Sequence, residues 1–354
     1  MISIKKPYII GETAFHHEGE IDFLFELIDT ACDLEIDAIK FHALFNVDDY
    51  FAHDHEGIGI IKKISLDQES MLSAVTYAQS KKLDVILLCN DVASIDWVIQ
   101  NNLDLKAIEI HATGLNDIFL LDKSVLFTGT VILGIGGSTI DEVKFATDYL
   151  RERGKEDLLL MHGFQNYPTS YADVFLQRIE KFQQLFGLPM GYADHTNPAD
   201  VNNEWISSLG ISKGALVLEK HFTTRPAEKR IDAQAAVSIS QMKRLKEVSH
   251  IIFEALGLSN PLSFSKAEQN YGNTGPMKKA PVARRPIAKG ETITLESVAF
   301  KRTRKSACIQ QKDVLQLIGA VANQDISTDE IIDYSKIEYE FRVIDDSQFR
   351  NTHK

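Results

Sequence analysis

Cysteine is scarce: the 354 residues contain three, Cys32, Cys89 and Cys308, far apart and forming no CxxC pair. That number and spacing exclude a disulfide framework and a structural zinc site, and fit a reducing cytosol. No apolar run approaches the roughly 18 residues of a membrane-spanning helix. The run in the opening MISIKKPYIIGE is too short for a signal peptide. A cytoplasmic protein with no membrane partner is the expectation. No GxGxxG follows the first apolar run, which argues against a dinucleotide-binding open sheet. Positive charge is also in deficit, with 38 Lys and Arg against 50 Asp and Glu and a net charge of −12. Such a chain repels nucleic acid outside a local basic patch. The one dense basic stretch, 283–305, is expected to face a partner subunit rather than nucleic acid. An anionic substrate would need local cations or a metal.

What is present is alternation. Short runs rich in Ile, Val and Leu recur at 7–12, 37–42, 84–89, 107–112, 130–135, 157–163, 189–195 and 215–221, as buried parallel strands do. Helical patterns lie between them, at 21–35 with Phe25, Ile28 and Cys32 on one face, and at 138–154 with Ser138 as N-cap. Others cover 171–187 and 238–257, and weaker ones 92–102 and 116–121. Eight strands with intervening helices predict an α/β protein, a (β/α)8 TIM barrel over 1–258. The Gly-rich GIGGST at 134–139 is either an anion-binding turn or a tight strand-to-helix turn. A turn-rich linker follows at 259–278. A small β-rich domain and tail occupy 279–354, with a rough internal repeat.

The histidines carry the functional signal. His42, His111, His162, His195 and His221 fall at or beside strand C-termini, and His16 and His17 follow the first strand. In a barrel all those ends meet at one mouth, where the chemistry of such enzymes sits. His195 and His221 would lie on neighbouring strands roughly 5 Å apart, close enough to share one divalent ion. Asp194 and Glu219 would orient such ligands. Glu12, Lys40 and Glu109 belong to the same rim. Lys40 in a buried strand needs a polar cavity, with either a phosphate or carboxylate ligand or an ion pair with Glu12 or Glu109. Tyr167 lines the site or caps the barrel. His53 and His55 read as a solvated loop, His250 as helical and His353 as part of a tail.

GETAFHHEG, DAIKFH, HGFQNYPTSYADV, GYADHT, EKHFT and RIDAQAAVS, taken in order, resemble the sialic acid or nonulosonic acid synthases. ARRPIAKGETITLESVAFKR resembles their C-terminal antifreeze-like (SAF) domain. The resemblance implies condensation of phosphoenolpyruvate with an N-acyl mannosamine-type sugar. It implies a divalent metal, Mn2+ or Mg2+, on His195 and His221. Glu12, Lys40, Glu219 and Asp232 match the family's catalytic groups and Tyr167 a site tyrosine; among the substrate contacts, Gln165 stands for the family's Asn and Lys279 for the small-domain Arg that reaches the partner's sugar. It also implies a homodimer in which the small domain closes the partner's site.

Several positions depart from that pattern. A family lysine near the substrate carboxylate becomes Glu109, and small residues stand at Ala112, Gly114, Gly134 and Ala193. Meanwhile His42 and His111 could supply replacement donors or extra metal ligands. Cations elsewhere, such as Lys106, Lys220, Arg225 or Arg230, would then have to hold the acid. Two other readings are a metal-dependent sugar aldolase or isomerase, and a non-catalytic barrel homologue.

Overall fold

The computed structural model describes residues 6–257 and 262–338. His353 with the rest of the expected tail from 339, and 258–261 at the start of the expected linker, lie outside them. The chain divides into two compact units, Met1–Pro261 and Leu262–Lys354.

The first unit is a closed barrel of eight parallel strands: β1 (Tyr8–Glu12), β2 (Ala38–Ala43), β3 (Asp84–Cys89), β4 (Ala107–Ile110), β5 (Thr130–Gly134), β6 (Leu158–His162), β7 (Met190–Asp194) and β8 (Ala215–Thr223). Each pairs with the next, and β8 returns to β1 with His221 opposite Glu12. A two-residue strand, β9 (Val237–Ser238), adds to the end of β8. Each of the eight barrel strands falls where the apolar runs predict it.

The helices cover the outside. Helix Ile21–Asp33 buries Leu24, Leu27, Ile28 and Ala31 against the sheet, so the stripe is rotated from the expected Phe25, Ile28 and Cys32. Phe25 packs sideways on Tyr77 of the neighbouring helix, with ring centres 4.9 Å apart. The expected cap Ser138 is also displaced. Thr139 caps helix Ile140–Glu152, because Glu142 three residues on closes a reciprocal capping box with it. That same carboxylate takes the Thr139 amide at 2.7 Å, while Gly134, Gly136 and Gly137 of GIGGST line the cavity at the strand C-termini. The expected helix 171–187 is broken at Phe175, which has φ +48°. Helix Gln68–Ser80, capped by Asp67, and helix Asn203–Ser212 were not anticipated.

In the second unit β10 (Ala280–Ala283) pairs antiparallel with β11 (Val298–Lys301). The internal repeat is structural: Ile287 bridges Ile326, and the short 3-10 turn Leu295–Ser297 has its counterpart in Tyr334–Lys336. Gly290 and Asp329 occupy equivalent left-handed positions, φ +84° and +66°. The core gathers Ile287, Ile293 and Val298 from one copy with Ile326, Ile332 and Ile337 from the other. Within 283–305, Arg285 pairs with Glu291 at 2.6 Å, and Lys301 with Asp329. Helix Lys266–Tyr271 lies inside the segment expected as linker.

Side-chain alternation decides what faces the barrel axis. Tyr8, Ile10, Ala38, Ile86, Ala107, Ile132, Leu159 and Val217 form an apolar plug. The next inward positions toward the strand C-termini are Glu12, Lys40, Glu109 and Glu219, and the ones beyond are His42, His111 and His221. Asp194 and Lys220 face the other way. Lys220 Nζ lies 2.5 Å from Asp194 Oδ2, and both side chains are almost wholly buried. Asp194 also accepts from Tyr192 Oη at 2.9 Å, the Thr196 amide at 3.0 Å and Ser207 Oγ at 2.5 Å. Asp194 is therefore a packing hub of the barrel wall, which corrects the expectation that it orients a ligand. Burial alone would raise its carboxyl, but Lys220 and these donors outweigh it and hold it at about 2. A depressed carboxyl stabilises the fold above its unfolded value near 4 and loses that contribution as pH falls through about 2. Asp194→Ala leaves Lys220 buried and unpaired and should cost about 3–5 kcal/mol. In urea titrations at neutral pH the midpoint should fall accordingly, and Asp194→Asn should flatten the acid limb between about pH 4 and 2.

Candidate active site

A cavity of about 300 Å3 opens at the C-terminal ends of the strands. Its floor is an ion cluster. Lys40 Nζ lies 2.6 Å from Glu12 Oε2, 2.9 Å from Glu109 Oε2 and 2.7 Å from Glu219 Oε2, with all four side chains buried. The three carboxylates arrive from β1, β4 and β8 because each occupies an inward strand position. Burial alone would lower the Lys40 ammonium, but Glu109 and then Glu219 outweigh it and hold it above its ordinary range. Burial pushes Glu109 the other way, up to about 7, against the pull of Lys40.

Above this layer stand four imidazoles, His42, His111, His195 and His221, all lining the cavity. Burial lowers each of them, His111 and His195 to about 4 and the other two well below the usual value. They are neutral at physiological pH, the state in which imidazole offers a lone pair. His42 Nε2 lies 3.5 Å from Glu12 Oε1. His221 Nε2 and His195 Nε2 face each other at 3.3 Å, and His195 Nδ1 is buried with no hydrogen-bond partner. Among the described residues no cluster of three or more His, Cys, Asp or Glu is arranged to hold a metal ion. A cation on the His pair would complete its shell with oxygens from solvent or substrate. The pair fits that task, since nitrogens about 2.0–2.1 Å from a common ion can be separated by up to about 4 Å.

Of the other expected site residues, Gln165 lines the cavity. The Tyr167 ring packs edge-on to His195 and His221, with centres 5.4 and 6.3 Å away. Its buried hydroxyl lacks an aligned partner, although Asp232 is its neighbour. Burial, then the Asp232 charge, raises the phenol, and burial raises Asp232 in turn. Neither Tyr167 nor Asp232 is among the residues lining the cavity, and Asp232 holds a left-handed φ of +64°. Lys279 is an exposed residue of the second unit, next to β10.

Other expectations are corrected. His162 follows the inward-facing Met161, so it turns outward and meets the Val174 carbonyl at 2.9 Å. His16 bonds the Ile231 carbonyl at 2.8 Å and Thr223 Oγ1 at 2.9 Å, and His17 takes the Gly19 amide at 3.0 Å. None of the proposed substitute cations reaches the mouth. Lys220 is locked in the wall, and Lys106 pairs with Asp84 at the start of β3, 3.3 Å away. Arg225 pairs with Glu26, and Arg230 with Glu20 and Glu228.

The far side of the cavity is made of small residues: Ala112, Gly134, Gly136, Gly137, Gly163 and Ala193. Here the loops after β5 and β6 touch backbone to backbone. A Cβ on Gly136 would lie 2.0 Å from the Gly163 carbonyl oxygen, and one on Gly163 2.0 Å from that of Ala193. Sequence reasoning misses Leu88 and Met161, for which strand parity was the available signal, and the loop residues Thr113 and Phe164, for which there was none. It also missed a second cavity, lined by Tyr50, Phe51, His55 and Asn90, that shares His111 and Thr113 with the first. Gly114 belongs to this one.

Comparison with known proteins decides the family. The NeuB family model matches residues 27–260, and the SAF domain model matches 280–338. The chain belongs to the NeuB family. An uncharacterised protein of Methanocaldococcus jannaschii is 27% identical over 92% of this chain and 93% of its own length. The N,N'-diacetyllegionaminic acid synthase of Campylobacter jejuni is 25% identical over 93% of this chain and 99% of its own. The solved N-acetylneuraminic acid synthetase of Leptospira borgpetersenii, in complex with citrate, shares the fold. Its TM-score is 0.69 at 24% identity, over 75% of this chain and 90% of its own. Among the described residues of this NeuB-family chain, no helix is long and apolar enough to cross a membrane.

The ion cluster gives a direct test. Lys40→Met leaves three buried carboxylates without their ammonium and should cost about 3–5 kcal/mol. Adding Glu109→Gln to that variant should restore part of the loss. A double-mutant cycle from urea unfolding reads the coupling, and strict additivity would contradict the cluster.

Proposed function

We propose that the protein is a nonulosonic acid synthase. It would join phosphoenolpyruvate to the open-chain aldehyde of an N-acyl mannosamine-type sugar, add water and release phosphate. The observation that carries this reading is the neutral His195–His221 pair directly above the Lys40–carboxylate floor, at one barrel mouth. Membership of the NeuB family, with relatives named as synthases of sialic-type acids, supports it.

In this reading His195 and His221 hold a divalent cation, Mn2+ or Mg2+, which when bound supplies Lewis-acid polarisation of the sugar carbonyl oxygen. The protein's own groups do the rest. Lys40 Nζ is the cavity's one ammonium among the described residues and orients the donor's anionic groups. Glu12 and Glu219 present carboxylate oxygens at the floor, where either can take a proton from the water that attacks the former enol carbon. His42, His111 and Gln165 donate or accept at sugar hydroxyls. Tyr167, backed by Asp232, flanks the acceptor and excludes water. A homodimer would let Lys279 of the small domain reach the partner's mouth, and light scattering at working concentration tests that assembly.

The reading predicts phosphate release from phosphoenolpyruvate with a panel of N-acyl mannosamine-type sugars and Mn2+. His195→Ala and His221→Ala should each lower kcat/KM by at least the roughly 10–100-fold that loss of even an outer metal partner costs. Both should also weaken Mn2+ binding in calorimetry. No turnover with any sugar by metal-loaded, folded protein would reject the reading. One observation favours an aldolase or isomerase that uses no phosphoenolpyruvate: three carboxylates surround the one ammonium among the described residues lining the cavity. A donor carboxylate about 5 Å from Glu109 meets roughly 3 kcal/mol of repulsion at an effective dielectric of 20.

A further inference from the structure

The charge of the mouth does not match an anionic donor, and one residue accounts for much of the mismatch. Among the described residues lining the cavity, Lys40 is the only Lys or Arg, against Glu12, Glu109 and Glu219. An incoming anion must therefore compete for an ammonium already held at 2.6, 2.9 and 2.7 Å.

The three carboxylates are not equivalent. Glu12 is built into the turn after β1, where its Oε1 takes the Ala14 amide at 2.7 Å. Glu219 is part of β8 two residues before His221. Glu109, like Glu219, bonds only Lys40 among the described residues, but it does not lie within two residues of His195 or His221. Its strand neighbours in register are Leu88 on β3 and Ile132 on β4's other side, in β5, neither of which carries charge. The wall beyond it, from Ala112 through Gly134 and Gly136 to Ala193, offers room and backbone but no compensating cation.

We propose that Glu109 is a specificity-determining residue that weakens the pocket's affinity for donors carrying both a carboxylate and a phosphate, by holding Lys40 Nζ and adding its own charge beside it. This rests on the reading of the mouth as a phosphoenolpyruvate site, and deepens it by assigning the donor's discrimination to one side chain. Removing that charge leaves Lys40 with two carboxylates in place of three and frees one of its N–H donors for the ligand.

Calorimetry on the full chain at about pH 8, with phosphoenolpyruvate as the probe, tests the proposal. Glu109→Gln and the similarly sized, uncharged Glu109→Met should each bind it about 10–100-fold more tightly than the wild type, as loss of one like charge at this range brings. Affinity for the mannosamine-type sugar should change less than about 2-fold, since the acceptor is uncharged. A measurement on the wild type alone needs no variant: phosphoenolpyruvate esterified at its carboxylate should bind more tightly than the free acid. Unchanged or weaker phosphoenolpyruvate binding in the folded variants, or a wild type that prefers the free acid, overturns the proposal. Phosphate release separates this from the functional reading. Tighter binding without turnover in any variant keeps the role of Glu109 and rejects the synthase. Turnover with unchanged affinity does the reverse.

Discussion

One ammonium holds the mouth of this barrel together. Lys40 gathers carboxylates from three strands that are distant in sequence, on β1, β4 and β8, into a layer one side chain thick. Without it, three like charges would share a buried space of low dielectric, where their mutual repulsion is largest. With it, the layer becomes a fixed floor that separates the apolar plug of Ile10, Ile86, Ile132 and Val217 from the imidazoles above. The position of the histidines follows from that floor, because each inward residue is two steps from the last along its strand.

The same period explains why adjacent residues have unrelated tasks. In EKH, Glu219 and His221 point to the axis, and Lys220 points to the helical layer and ties Asp194 into the wall. In ADH the parity is reversed around Asp194, so His195 reaches the cavity while the aspartate does not. A doublet of acid and histidine therefore reads as one functional unit in the sequence and as two in the fold. The outer pair keeps β7 and β8 in place, and the inner groups line the cavity. A change at Lys220 would be felt at His221 through strand position alone.

The strands were legible because a parallel sheet buried on both faces needs continuous Ile, Val and Leu runs, and these have few other uses. The rim was legible from polar residues at the ends of those runs. Direction was harder to read. His162 reads as a cavity histidine because β6 ends on it, yet Met161 takes the inward place. Asp194 reads as a site residue for the same reason. The substitute cations failed on a different ground: Lys106, Arg225 and Arg230 satisfy local carboxylates, Asp84, Glu26 and Glu20, whose proximity depends on the closed barrel rather than on spacing. Helix Gln68–Ser80 is hard to read because two of the four residues in its core stripe, Met71, Ala74, Val75 and Ala78, are alanine, while Leu72 faces away from it.

The vertical order of charge has a chemical consequence. A carboxylate-rich floor below four neutral imidazoles creates a potential that favours cations at the height of His195 and His221. It does so without a third protein ligand, since two carboxylates beyond the one that Lys40 can balance act at longer range. The lone pairs at the rim and the negative charge beneath them are thus complementary to a cation and opposed to an anion. An anionic donor can enter such a mouth only where positive charge has been supplied above the floor or negative charge withdrawn from it. Glu109, which bonds only Lys40 among the described residues and stands on β4, away from the strands of His195 and His221, is the member of the floor whose neutralisation disturbs that pair least.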